Sequence, residues 1–235
     1  MSSGSAEVRV ANGSSADAAY RELKSRLLAG DVPLGVRLGE ERVAEQLSVS
    51  RTPVRKALLR LYAEGFLERH PDGGFRVKHP TTRSVGELYD VRKALELYAV
   101  RLTLEGLGAV RNQLEQLRDD WSALEREAPD PDPEFVLIDE DFHLRLAEAA
   151  GNAELVEQLR RVNERIRPVR THDFLQPRRI EQTTTQHLAI VKALLAGDPS
   201  TGSLLEAHIC ESQRVVEELV GRVLERMVGL GAQSR

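Results

Sequence analysis

Apolar residues recur along most of this chain at spacings of three and four, the period of a helix with one buried stripe. The first stripe is Ala19, Tyr20, Leu23 and Leu27, in a helix expected over residues 16–29 and stopped by Gly30-Asp31. A short second stripe carries Val43, Ala44 and Leu47. After Ser48-Val49-Ser50 a third follows at Val54, Ala57, Leu58, Leu61 and Tyr62, so two helices are expected across a tight turn. Ser50 stands where it can cap the helix after the turn, Pro53 lies in the first turn where no intrahelical donor is lost, and Gly65 ends the helix. Residues 67–70 and 75–78 then flank Pro71-Asp72-Gly73-Gly74, whose glycines permit positive φ, and predict a β-hairpin.

Residues 78–83 have no period and contain a proline, which makes 79–83 the expected linker between a domain at 16–78 and another at 84–230. Everything beyond reads helical. Ser84 and Glu87 have capping-box spacing, followed by Leu88, Val91, Leu95, Tyr98 and Leu102. A second helix carries Leu114, Leu117, Trp121 and Leu124 and breaks at Pro129-Asp130-Pro131-Asp132. A third, capped by Asp132 with Pro133 in first position, runs to Ala150 and closes at Gly151. A fourth spans residues 153–167, a fifth 180–196 up to Gly197-Asp198-Pro199, and the last 202–228; residues 170–178 have no readable pattern. The expected fold is therefore mainly α: a helix-turn-helix with a hairpin wing, then an all-helical bundle of about six helices.

Residues 1–15 are rich in Ser, Gly and Ala and read as a disordered tail. The formal net charge of −4 hides an asymmetry: residues 1–80 hold 13 Lys and Arg against 10 Asp and Glu, or +3, while residues 81–235 hold 20 against 27, or −7. That agrees with DNA at one end only. The single cysteine, Cys210, excludes an intramolecular disulfide and is expected to be a buried helix residue. With no signal-peptide core, and no run approaching about 18 uncharged apolar residues, a cytoplasmic protein with no membrane association is expected.

The face opposite the apolar stripe after the turn carries Arg51, Thr52, Arg55 and Lys56, the end that a recognition helix inserts into the major groove. S-R-T-P-V-R-K-A-L-x-R-L-x-x-E-G-F-L, read here from Ser50 to Leu67, resembles the winged-helix domain of the GntR family of bacterial transcription regulators. The resemblance implies contacts to a palindromic double-stranded operator from Arg42, Arg51, Thr52, Arg55 and wing residue Gly73, with Ser50 and Lys56 at the same helix end. His70 and Gly74 match more weakly, because wing length varies. A single winged helix makes few contacts, so a homodimer reading two half-sites is expected.

In the third helix of the second domain, Asp139 and His143 are four apart and share a face, whereas Asp141 projects elsewhere. Alone, such a pair reads more readily as an ordinary surface pair than as half a metal site. His187 and His208, however, lie eleven residues before and ten after Asp198, at similar distances from the tip of a helical hairpin. One Asp and three His would form a divalent transition-metal site with open positions, for zinc, nickel or another divalent ion. D-x-x-F-H-x-x-L-x-x-x-x-G-N, from Asp139 to Asn152, is similar to the FCD ligand-binding domain of FadR-like GntR regulators. Its metal-binding members use an Asp and three His, which implies Asp139, His143, His187 and His208 as ligands. Arg92 resembles a pocket-facing position and suits a small carboxylate, yet a salt bridge with Glu96 explains it equally well.

These readings imply a DNA-binding regulator, a repressor, whose operator binding is controlled by a small organic acid at the metal site. Two alternatives stand beside it: a regulator responding to metal alone, and a metal-dependent hydrolase fused to a DNA-binding domain. Against an enzyme, the residues offer no obvious general base apart from Glu140. His172, in the unreadable stretch, reads as pocket, lid or plain loop.

Overall fold

The computed structural model describes residues 15–176 and 178–232, with side chains described to residue 222, so the expected tail at 1–14 lies outside the described residues. The chain divides into two compact units between His79 and Pro80.

In the first unit, α1 (Ser15–Ala29) buries Ala19, Tyr20, Leu23 and Leu27 and packs on α3 (Arg51–Ala63), which buries Val54, Ala57, Leu58 and Leu61. Between them lies α2 (Glu40–Leu47), with Val43 and Ala44 buried. The turn from α2 to α3 is made by Ser48 in the left-handed region, φ 53°. Ser50 is the N-cap of α3 at φ −73°, ψ 166°, but its side chain accepts no capping hydrogen bond, contrary to expectation, and it is exposed. Tyr62, expected inward, is 41 % exposed; its ring leans on Phe75 at the surface, with the Arg69 guanidinium 5.2 Å above it. Gly65, at φ 85°, turns the chain out of α3.

The hairpin forms from β2 (Leu67–Arg69) and β3 (Phe75–Val77), in antiparallel register Leu67↔Val77 and Arg69↔Phe75. A third strand was not foreseen: β1 (Arg37–Leu38) pairs with the other edge of β3, giving the order β1-β3-β2. Two residues are too few for periodicity to reveal.

The second unit is a bundle of α4 (Thr82–Glu105), α5 (Leu107–Glu127), α6 (Phe135–Glu148), α7 (Ala153–Arg170), α8 (Arg179–Leu195) and α9 (Thr201–Ala232), with a 3₁₀ turn at Asp173–Leu175. α4 packs along α9 and against α6 and α7, and α5 packs on α8. Helix α4 begins earlier than expected, so the linker is shorter than 79–83. Its capping box is Thr81 with Ser84, not Ser84 with Glu87: the Thr81 hydroxyl accepts from Ser84 N–H while Ser84 Oγ accepts from Thr81 N–H. Glu87 pairs instead with Arg83 on the surface. The buried face of α4 is also rotated from the expected stripe. Val85, Tyr89, Arg92, Glu96, Ala99, Val100 and Thr103 point inward, while Val91 and Tyr98 are exposed. Two charged residues occupy positions that an apolar pattern cannot announce.

Helix α6 begins at Phe135, two residues after Pro133, and Asp132 Oδ1 accepts from the Glu134 N–H just before it. Helix α7 continues through Pro168 to Arg170, past the expected end at Arg167. Cys210 is exposed rather than buried, and Leu204 on the same helix is 39 % exposed. Among the described residues, no helix is long and apolar enough to cross a membrane.

Candidate metal centre and nucleic-acid interface

Four buried side chains from three helices converge in the second unit. Asp139 and His143 come from successive turns of α6, His187 from α8 and His208 from α9; one ligand atom of each lies within 4.8 Å of the others. His187 Nε2 is 3.1 Å from His208 Nε2, which is 3.3 Å from His143 Nε2. The Asp139 carboxylate closes the group, with Oδ1 3.7 Å from His187 Nε2 and Oδ2 3.7 Å from His143 Nε2. Phe142 stacks on the His187 ring at 3.7 Å between centroids, and the Trp121 edge meets it at 4.3 Å. The apolar neighbours thus fix the ring plane.

The hydrogen bonds behind the rings determine where their lone pairs point. His143 Nδ1 lies 2.6 Å from Glu96 Oε2, a carboxylate oxygen that can only accept, so Nδ1 carries a proton and, in the neutral ring, the Nε2 lone pair faces inward. Gln186 Nε2 donates to Glu211, which turns Gln186 Oε1 toward His208 Nδ1 at 2.7 Å; that nitrogen too must donate. Two imidazole lone pairs therefore oppose each other across 3.3 Å. A cation between them would relieve their repulsion. Tetrahedral bonds of about 2.0–2.1 Å from nitrogen to zinc would separate two ligand nitrogens by about 3.3 Å. The chemistry of the donor set and its spacing both fit a divalent transition metal, which His143, His187 and His208 would hold through Nε2 and Asp139 through carboxylate oxygen.

The electrostatics agree. Burial lowers the pKa of His187 well below the ordinary value, reinforced by His208, and burial does the same to His208, reinforced by His143. Both rings are thereby kept neutral, as metal ligands must be. Burial pushes the Asp139 carboxyl up, but Arg170, His143 and His187 together outweigh it and hold the group well below the usual carboxylate range. Glu96 follows the same balance, lowered by His143 and Arg92 against its burial.

Three ion pairs lie in and around this group, and of their members only Asp139, Arg92 and Glu96 were foreseen. Arg92 Nε donates to Glu96 Oε1 at 2.7 Å, Arg170 Nη2 to Asp139 Oδ2 at 2.6 Å, and Arg179 Nε to Asp173 Oδ2 at 2.8 Å. All six side chains are buried. Arg92 therefore makes the Glu96 salt bridge and still keeps Nη1 and Nη2 without a hydrogen-bond partner. Glu140, the candidate general base, is bound by both carboxylate oxygens to Arg167 and is not available for that role. His172 is exposed and stands apart from the cluster. Arg170, Asp173 and Arg179, in or beside a stretch without readable pattern, carried no signal in the sequence.

In the first unit, Arg42, Ser50, Arg51, Thr52, Arg55 and Lys56 are all exposed. Arg51 Nη2 and Arg55 Nε lie 3.9 Å from the Glu40 carboxylate, a spacing too long and too solvated to hold either arginine back. Gly73, at φ 86°, forms the exposed wing tip, tied to β1 by Arg37 Nη2 donating to Asp72 O at 3.3 Å and Gly73 O at 3.1 Å.

Comparison with known proteins matches both units. Residues 15–77 fit the model of bacterial regulatory proteins, gntR family, and residues 87–210 fit the FCD domain. The Nta operon transcriptional regulator of Aminobacter aminovorans is 34 % identical over 192 residues, covering 81 % of this chain and 90 % of that protein. A probable D-xylose utilization operon transcriptional repressor of Paenarthrobacter nicotinovorans is 30 % identical over 183 residues, covering 76 % and 78 %. Among solved structures, E. coli McbR/YncC superposes with a TM-score of 0.67 at 25 % identity, covering 88 % of this chain and 98 % of that one. These relatives are regulators of transcription rather than enzymes.

Proposed function

This chain belongs to the GntR family and is a DNA-binding transcriptional regulator with an FCD domain, and from that premise we propose that it is a metal-dependent, acid-responsive repressor. The observation that carries the proposal is the pair of opposed Nε2 lone pairs on His143 and His208, each fixed by an acceptor behind its ring. A divalent ion, zinc or nickel, is held there by Asp139, His143, His187 and His208. The ion supplies Lewis acidity for an incoming carboxylate, and the Arg92 Nη atoms supply the second set of donors. Arg42, Ser50, Arg51, Thr52, Arg55, Lys56 and Gly73 meet the operator.

The repressor sense is taken from the named relative. A homodimer is part of the proposal, because one recognition helix reads too few base pairs for specificity. The apolar residues that α4 leaves outside, Val91 at 47 % and Tyr98 at 43 % exposure, lie seven residues apart on one helix face and suit a second copy. Since the ligands come from three helices, metal and acid both bear on the packing of the bundle, which is the physical route to the DNA-binding units.

The test is fluorescence anisotropy on a palindromic fragment enriched from a random pool by the metal-loaded protein. Affinity is read for loaded protein, chelator-stripped protein, and each with acetate, lactate or succinate added. The proposal expects an acid to change affinity only when metal is present. A response to metal that no acid alters would favour the metal-responsive alternative, and no response to either would reject both.

A further inference from the structure

The arginines around the cluster carry more hydrogen-bonding capacity than their protein partners use. Arg92, Arg170 and Arg179 each spend one nitrogen on a single carboxylate oxygen. Among the described residues this leaves Nη1 and Nη2 of Arg92, Nε and Nη1 of Arg170, and Nη1 and Nη2 of Arg179 buried with no partner. Buried guanidinium donors are rarely left so, because each has surrendered water without replacement. The Thr183 hydroxyl on α8, also buried, has no partner either.

These donors surround the same centre. Arg170 is bonded to Asp139 itself. Arg92 and Arg179 both lie close enough to His208 to disfavour its charged form. The charge balance points the same way. The three guanidinium groups are offset by Glu96, Asp139 and Asp173, one carboxylate each, so this buried set is neutral and turns positive if Asp173 is protonated. Burial pushes the Asp173 carboxyl up despite Arg179 beside it. A divalent ion then adds two positive charges in surroundings of low dielectric, where uncompensated charge is costly. A monocarboxylate would leave at least one of them unanswered.

We propose that the effector held at this centre is a dicarboxylate, one carboxylate bridging the metal and Arg92 and the other held by Arg179 and Arg170. The proposal rests on the metal-and-acid reading above and adds the valence of the ligand. The unpartnered nitrogens belong to three separate arginines on α4, α7 and α8, a divided donor set that two carboxylates can share.

The test is isothermal titration of the zinc-loaded full-length protein with acetate, propionate, malonate, succinate, glutarate and inorganic phosphate. The best dicarboxylate is expected to bind at least about tenfold more tightly than the better monocarboxylate, about one unit in log Kd. In Arg179→Gln that ratio should fall below about threefold, with circular dichroism and melting reporting whether the variant is folded. Equal affinity for mono- and dicarboxylates in the parent protein would overturn the proposal while leaving the metal-and-acid reading intact. Tighter binding of phosphate than of any dicarboxylate would also overturn it. Binding of no acid at all by the zinc-loaded protein would remove the acid reading and the proposal together. The parent comparison decides the matter even if Arg179→Gln does not fold.

Discussion

Glu96 Oε2 sits 2.6 Å from His143 Nδ1, both side chains buried, while the other oxygen of the same carboxylate accepts from Arg92 Nε at 2.7 Å. One side chain thereby fixes the tautomer of a candidate metal ligand and the orientation of the candidate acid-binding arginine. Glu96→Gln offers one acceptor where two are needed, so either His143 or Arg92 faces an amide N–H. Metal affinity in this variant is expected to fall about 10–100-fold, the usual cost of losing a partner behind a ligand. Competition against a chromogenic chelator measures it. Unchanged affinity in a folded variant would remove Glu96 from the metal's support.

The depressed pKa values of His187 and His208 set a pH dependence for the metal-free protein. An unfolded chain takes up protons on these imidazoles near their ordinary value of 6.5, and the folded chain does not. The unfolded state thus binds more protons as pH falls, so stability drops below about pH 6.5. Glu96 and Asp139 are lowered instead, and their contribution is lost only as pH falls below their ordinary values of 4.5 and 3.8. Melting temperatures of chelator-treated protein should hold near neutrality and decline through the mildly acidic range. A flat profile there would show that the two imidazoles titrate normally in the fold.

On DNA, Arg51→Ala and Arg55→Ala are each expected to weaken operator binding by about 1–3 kcal/mol and to relax base preference. Their side chains are 66 % and 70 % exposed, so stability should hardly change. Anisotropy titrations with matched and mismatched sites check this. Full affinity in both variants would remove α3 from the groove.

Much of the fold was legible because the buried stripes of α1 and α3 and the hairpin glycines follow simple periods. The convergence of four side chains was legible for a related reason: Asp139 and His143 share a face by spacing, and His187 and His208 flank a hairpin tip symmetrically. The surroundings were not. Arg92 and Glu96 sit at core positions of α4, and that displaced the apparent stripe onto Val91 and Tyr98, which are exposed. Residues 170–178 had no readable pattern because Arg170 and Asp173, together with Arg179 just beyond, are buried ion-pair members rather than surface charges. Polarity alone gives no warning of such an interior.

If α4 meets a second copy through Val91 and Tyr98, then charges placed on that face should separate the copies. Val91→Asp combined with Tyr98→Asp is expected to shift sedimentation from dimer to monomer at micromolar concentration. Folding should be retained, because neither side chain is in the core. Operator affinity should fall with it, as each monomer reads one half-site. A variant that stays dimeric would put the interface elsewhere.

The central claim is that His187 and His208, carried on α8 and α9, share one metal ion with Asp139 and His143 from α6. Metal analysis combined with melting in the presence and absence of chelator, on the parent and on His187→Ala and His208→Ala, tests it most directly. The account predicts one equivalent of metal in the parent, loss of it in both variants, and a parent melt that chelator lowers; saturation at a hundredfold over Kd is worth about 2.7 kcal/mol. Variants that keep one equivalent and respond to chelator as the parent does would contradict the shared site.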